Sequence, residues 1–147
     1  MRIVEVRTLG RVSYREAWSL QRELAARISD GDLPEQLLLL EHPHTYTLGR
    51  SGGLNHLLAS PEELAALGAE VVESDRGGDI TYHGPGQLVG YPLLNLRRMG
   101  GDVHVYLRTI EQALIETLAE YGLTGEREKE YTGVWVQGRR SRRLESR

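Results

Sequence analysis

Arg76-Gly-Gly-Asp-Ile-Thr-Tyr-His-Gly-Pro-Gly-Gln-Leu-Val-Gly-Tyr-Pro92 places five Gly, two Pro, one His, one Arg and two Tyr within 17 residues. Ile80 to Tyr82 and Gln87 to Leu94 read as short strands, and the glycines between and before them as turns. Gly77-Gly78 and Gly84-Pro85-Gly86 let backbone approach a ligand closely or take positive φ values that other residues resist. Arg76 offers a fixed fork of donors, and His83 a donor or acceptor that titrates near neutral pH. From these residues alone two readings stay open: a tight β-hairpin with a surface His, or one wall of a binding cleft.

Upstream, Ile3 to Leu9 reads as a strand ending at Gly10. Ser13-Tyr14-Arg15-Glu16 has the capping-box spacing, and Ala17, Leu20, Leu24, Ala25 and Ile28 give the helix that follows one apolar face, up to Asp30-Gly31-Asp32. Gln36 to Glu41, with four consecutive Leu, suits a strand covered on both faces, and Thr45 to Leu48 continues the sheet after a His-Pro-His turn. Ser60-Pro61-Glu62-Glu63 is a second capping box, with Gly68 as its helix stop and a strand at Val71 to Ser74.

Downstream, Asp102 caps a long helix whose apolar stripe is Val103, Leu107, Ile110, Leu114 and Leu118, stopped by Gly122. Thr132 to Gln137 reads as the last strand. The expected fold class is α/β of the α+β type, a mixed sheet with packed helices in a single domain.

The chain has 147 residues, 39% hydrophobic and 27% charged, which excludes collagen-like and disordered chains. Its longest apolar runs, Leu37 to Leu40 among them, are far short of the roughly 20 residues that span a bilayer. With no secretory signal pattern at Met1 to Glu5 either, a cytoplasmic location and no membrane partner are expected. Five of 18 basic residues and one of 21 acidic residues fall in 139–147, leaving a body with 13 basic against 20 acidic residues. An acidic body argues against a nucleic-acid surface. The absence of Cys removes disulfides, thiolate metal sites and the most reactive nucleophile.

The sequence holds no phosphate loop of the GxxxxGK[ST] type and no GxSxG elbow, and RGGD lacks the spacing of a dinucleotide site. The stretch from Arg76 to Pro92 instead resembles the signature of the lipoyl(octanoyl) transferase family, the octanoyltransferases of lipoate biosynthesis. The resemblance runs through Arg76, Gly77, Gly78, Thr81, Tyr82, His83, Gly84, Pro85, Gly86, Gln87, Val89, Tyr91 and Pro92. It extends to Leu40-Glu41-His42-Pro43, Tyr46-Thr47-Leu48-Gly49-Arg50 and Tyr131-Thr132-Gly133-Val134-Trp135-Val136.

The resemblance implies the fold of biotin and lipoate protein ligase catalytic domains. It also implies transfer of an octanoyl group from acyl carrier protein to a lysine of a lipoyl domain, as in 2-oxoacid dehydrogenases and the glycine cleavage H protein. The family works through a thioester on an enzyme Cys whose pKa a nearby Lys lowers. Neither a cofactor nor a metal is implied, because the donor thioester is already activated. Carried over by position, Arg76, Gly77, Gly78, Asp79, Ile80, Thr81, Tyr82 and His83 line the acyl site, with His83 in an auxiliary positioning or proton-handling role. Tyr82 and Tyr91 are candidate walls of an acyl channel, Tyr91 more as core, and Asp79 reads as a turn or strand-surface residue rather than an acid catalyst.

The family's Gly-Arg-Lys run is replaced here by Gly138-Arg139-Arg140, so Arg140 holds the Lys position, and the expected Cys would lie beyond Arg147. Residues 1–138 therefore read as the amino-terminal part of one octanoyltransferase domain, and 139–147 as an aberrant Arg-rich tail. Deleting one base from codons for a family-like Arg-Lys-(Ile/Val)-Ala-Ala-Ile-Gly-Val regroups them into Arg-Arg-Ser-Arg-Arg-Leu-Glu-Ser, which is residues 139–146. The expectation is a frameshifted or truncated chain that is itself inactive. Two alternatives remain: a catalytically inert acyl-binding module, and a metal hydrolase built on His42, His44 and His83.

Overall fold

The computed structural model describes residues 3–53, 56–129, 131–136 and 139–142, without the side chains of Met99 and 139–142. The chain divides into two compact units, Met1–Asn95 and Leu96–Arg147.

The first unit contains β1 (Val4–Arg11), α1 (Tyr14–Asp30), β2 (Glu35–Glu41), β3 (Thr45–Leu48), α2 (Pro61–Leu67), β4 (Glu70–Glu73), β5 (Ile80–His83) and β6 (Val89–Leu93). Its strands form two three-stranded sheets, β1-β2-β6 and β4-β3-β5. In each sheet the middle strand has one parallel and one antiparallel neighbour, β2 between β1 and β6, β3 between β4 and β5. The mixed pairing expected of one sheet is thus realised in two.

Local chemistry sets the element ends. Ser13 and Glu16 close the capping box of α1, and Gly31 ends the helix at φ +87°. Ser60 and Glu63 do the same for α2, with Pro61 in its first turn and Gly68 at φ +63°. β1 passes through Gly10 instead of stopping there: the register shifts between Thr8 and Arg11, and Gly10 at φ +67° takes up the irregularity.

The buried stripe of α1 is Tyr14, Ala17, Gln21, Leu24 and Ile28, while Leu20 is half-buried and Ala25 exposed. The 3.6-residue repeat explains the rotation, since positions 14, 17, 21, 24 and 28 lie on one track and 20 and 25 flank it. Gln21 thereby enters the core, with Nε2 lacking a hydrogen-bond partner. Leu38 and Leu40, on one face of β2, are at most 2% exposed, whereas Leu37 and Leu39 on the opposite face are half-buried, so the run expected to be covered on both faces is fully covered on one.

The hairpin reading of 80–92 is overturned. β5 pairs with β3 and β6 pairs with β2, so the strands on either side of Gly84-Pro85-Gly86 belong to different sheets. The turn is closed by Gln87 N–H donating to Gly84 O at 3.1 Å. Gly86, at φ +80°, turns its N–H to the Glu41 carboxylate at 2.8 Å, which delivers the chain alongside β2.

The second unit holds a 3-10 turn (Leu96–Met99), α3 (Val103–Glu120), β7 (Gly125–Glu126), β8 (Val134–Val136) and β9 (Arg139–Arg142). Asp102 caps α3 through His104 and Val105 N–H, as its position predicts. The expected stripe is only partly covered: Leu107, Ile110 and Leu118 are half-buried, Val103 and Leu114 exposed, and the buried residue of α3 is Glu111. Its carboxylate meets Arg108 Nη1 at 2.7 Å, Arg127 Nε at 3.3 Å and Gly133 N–H at 2.8 Å. A buried charge stays in place when its partners come with it.

β7, β8 and β9 form an antiparallel sheet. The expected last strand is shorter than 132–137, and another follows it, because residues 139–142 of the Arg-rich segment pair with β8. Gln137, Gly138 and 143–147 lie outside the described residues. Among the described residues no helix is long and apolar enough to cross a membrane.

Candidate functional site

The residues expected to line the site, 76–83, run from the end of the β4–β5 connection through β5, all within the first unit. Antiparallel pairing sets Thr45 opposite His83, Tyr46 opposite Tyr82, Thr47 opposite Thr81 and Leu48 opposite Ile80. Alternation along a strand then separates His83 and Thr81 from Tyr82 and Ile80.

Arg76 is 2% exposed, and its guanidinium is directed into the structure. Nε donates to Thr47 Oγ1 and Nη1 to Gly77 O, both at 3.0 Å, and Nη2 donates to the carbonyls of Thr47 and Asp79. One side chain therefore ties β3 to both ends of the 76–79 loop.

The neighbouring loop is laced on by backbone bonds: Gly49 N–H to Asp79 O, Arg50 N–H to Arg76 O and Ser51 N–H to Gly78 O, each 3.0 Å. Gly49 has to be glycine, because a Cβ there would collide with the Gly78 carbonyl and lie 3.0 Å from Arg76 Nη1. Gly78 sits at φ +85°.

Asp79 is a turn residue, as expected, and its carboxylate receives His56 Nδ1–H at 2.7 and 2.9 Å. That hydrogen bond, more than any other contact, holds the Asp79 carboxyl below its ordinary value. A depressed carboxyl contributes stability that is present above the ordinary value of about 3.9 and is lost as pH falls through the depressed one. Below pH 5, wild type is therefore expected to lose stability more steeply than His56→Ala, by a small margin because the pair is exposed. Denaturant midpoints measured across that range check this, and identical slopes would contradict it.

Tyr82 is 40% exposed, its hydroxyl 2.6 Å from His44 Nδ1 and its ring 5.1 Å from that of Tyr46. A Cβ on Gly84 would fall on the Tyr82 ring, 2.7 Å from Cζ, so glycine at 84 is what lets the ring fold back over the turn.

His83 belongs to a second group. Its ring stacks on Tyr14 at 6.0 Å and meets His42 edge-on at 5.7 Å, and its Nδ1 lies 3.0 Å from Gln87 Oε1. His42 is fully buried, with Nδ1 2.7 Å from Val12 O and Nε2 2.8 Å from the Tyr91 hydroxyl. A carbonyl only accepts, so Nδ1 carries a proton, and in the neutral ring the Tyr91 hydroxyl donates to Nε2. The half-buried Tyr91 thus packs with this group, its hydroxyl satisfied by His42.

His42, His44 and His83 are not gathered as a ligand set, since both nitrogens of His42 are engaged elsewhere and His44 faces Tyr82. Among the described residues no group of three His, Asp or Glu side chains is placed to hold a metal ion. Arg140 lies in β9 opposite Trp135, and its side chain is outside the described atoms.

Neither Tyr14 nor Gln87 stands out in the sequence as a site residue, and His42 does so only within the Leu40-to-Pro43 resemblance and as a candidate metal ligand. Gln87 had a usable signal, four residues beyond His83 across a glycine turn. Tyr14 had none, because it is brought in by the packing of α1.

The family model for the Lipoyl protein ligase A/B catalytic domain matches residues 13–140, spanning α1, the 76–92 segment and the start of β9. The chain belongs to that family. Among curated proteins it is similar to the octanoyltransferase of Chloroflexus aurantiacus, 54% identical over 137 residues, covering 93% of this chain and 61% of the relative. The octanoyltransferase of Rubrobacter xylanophilus is likewise 54% identical over 137 residues, covering 92% of this chain and 61% of its own length. The chain thus spans about three fifths of the curated relatives it matches.

Solved structures share the fold. A bipartite lipoate protein ligase of Thermoplasma acidophilum superposes with a TM-score of 0.62 at 18% identity, covering 93% of this chain and 52% of that one. A lipoate-protein ligase A bound with ATP gives 0.64 at 19% identity, covering 92% and 54%. These likenesses agree with the expected α/β fold of lipoate ligase catalytic domains.

Proposed function

We infer that this chain carries the acyl-holding part of an octanoyltransferase, which moves an octanoyl group from acyl carrier protein to a lysine of a lipoyl domain. The observation that carries the reading is the 76–87 segment. It resembles the signature of the family, and it is folded so that Arg76 braces the loops while Tyr82 and His83 are presented on β5. Residues 76–83 line the acyl chain or its thioester, with the backbone of Gly77 and Gly78 allowing close approach and His83 next to the reacting carbonyl. The partners on this reading are acyl carrier protein and the lipoyl domains of 2-oxoacid dehydrogenases and glycine cleavage H protein, in the cytoplasm. Neither metal nor nucleotide is needed, because the donor thioester supplies the driving force.

The 147 residues contain no Cys. A thioester cannot be exchanged onto a side chain that is absent, and this favours a second reading for the polypeptide in hand, that of an acyl-binding module without turnover. Titration with octanoyl-pantetheine, followed by NMR and thiol release, tests both. Saturable shifts at His83, Tyr82 and Gly77 without thiol release are the expected result. Shifts confined to other parts of the chain would overturn the site, and protein-dependent thiol release would overturn the lack of turnover.

A further inference from the structure

The surroundings of His83 fix more than its position. The Gln87 side chain reaches back across the turn, with Oε1 3.0 Å from His83 Nδ1 and Nε2 3.4 Å from Tyr82 O. The Tyr82 carbonyl can only accept, so the NH₂ end of the Gln87 amide must face it and the oxygen end must face the imidazole. An amide oxygen also only accepts, and Nδ1 of His83 is therefore the protonated nitrogen. Backbone geometry holds this arrangement: Gln87 N–H closes the turn on Gly84 O, and Gly86 N–H is anchored on Glu41. Tyr14 against one face of the ring and His42 at its edge oppose a ring flip.

We propose that Gln87 is a positioning residue that locks His83 in the Nδ1–H tautomer, which leaves Nε2 as the ring's acceptor nitrogen. The neighbouring His42 is held in the same tautomer by Val12 O, so the two imidazoles share one proton arrangement imposed from opposite ends of the cluster. A neutral imidazole with Nε2 unprotonated can accept a hydrogen bond or a proton from an incoming nucleophile. That consequence rests on the octanoyltransferase reading, whereas the tautomer does not.

Two-bond ¹H–¹⁵N correlation spectra of the unliganded 147-residue chain, recorded at about pH 8, where an ordinary imidazole is neutral, test the lock. Loss of signals in His83→Gln assigns the ring. In wild type, His83 is expected to show a protonated Nδ1 and an unprotonated Nε2. Gln87→Met, which removes the acceptor, is expected to shift the ring to a mixture of tautomers, and Gln87→Glu, which keeps an acceptor at Nδ1, to retain the wild-type pattern. An Nε2–H ring in wild type overturns the proposal, as does an unchanged Nδ1–H ring in folded Gln87→Met. If Gln87→Met does not fold, the wild-type and Gln87→Glu spectra decide: Nδ1–H in both supports the lock, and Nε2–H in either overturns it. Octanoyl-pantetheine titration of the same samples is scored separately, so a chain that binds no acyl group but shows the locked ring refutes the functional reading alone.

Discussion

Arg76→Leu is expected to destabilise the first unit by roughly 3–5 kcal/mol, since hydrogen bonds from a charged donor contribute about 1.5–3 kcal/mol each and a buried acceptor left without one adds its own cost. The substitution removes the donors that reach Thr47 Oγ1, Thr47 O, Gly77 O and Asp79 O, and Thr47 is fully buried. Arg76→Lys is expected to recover only part of this, because one ammonium cannot span the acceptors that a planar fork reaches together. Urea unfolding followed at the 76–83 amides checks it. If Arg76→Leu unfolds with the wild-type midpoint while acyl binding falls, Arg76 acts on the ligand and not on the loops.

The second large effect is expected at Glu111. Removing one member of a buried ion pair commonly costs about 3–5 kcal/mol, but Arg108 and Arg127 are 48% and 36% exposed in their side chains and can turn to water. Glu111→Ala is therefore expected to cost about 2–3 kcal/mol, much of it from the Gly133 N–H left buried without an acceptor. Glu111→Gln, which keeps an oxygen for Gly133, should cost less. Hydrogen exchange at Gly133 separates these outcomes: protection is expected to fall in the Ala variant and survive in the Gln variant, and equal loss in both would show that the charge and not the acceptor matters.

The parts of this fold that were legible are those fixed by a few adjacent residues. Ser13 with Glu16 and Ser60 with Glu63 announced two helices, and both boxes form. The Leu37 to Leu40 run announced a strand covered on both faces, and β2 is a strand whose Leu38 face is buried and whose Leu37 face is half-buried. The turn after β5 was legible as a turn, yet not its consequence. Whether Gly84-Pro85-Gly86 joins partners or sends two strands to different sheets depends on Glu41 and β2, some 45 residues away in sequence.

α3 forms with its expected cap, but its burial was less legible for a related reason. Its apolar stripe was visible, but the partners that bury Glu111 come from Arg127 and Gly133, which no helical period can forecast. The same division runs through the site. The motif from Arg76 to Pro92 singled out the candidate segment, and Gln87 was present in that motif without a role. That Arg76 turns inward and that Tyr14 covers His83 follow from nonlocal packing.

An octanoyl-transfer assay on a chimera that joins residues 1–136 to the remaining carboxy-terminal portion of the Chloroflexus aurantiacus relative tests the acyl-transfer reading of this segment. Octanoyl-acyl carrier protein serves as donor and a lipoyl domain as acceptor, and transfer is read as the mass of one octanoyl group on the acceptor. Transfer is expected from the chimera, none from the 147-residue chain, and a drop of about 10²-fold or more from the chimera carrying His83→Ala. A folded chimera that transfers nothing, or one indifferent to His83, would contradict the assignment of this site to acyl transfer.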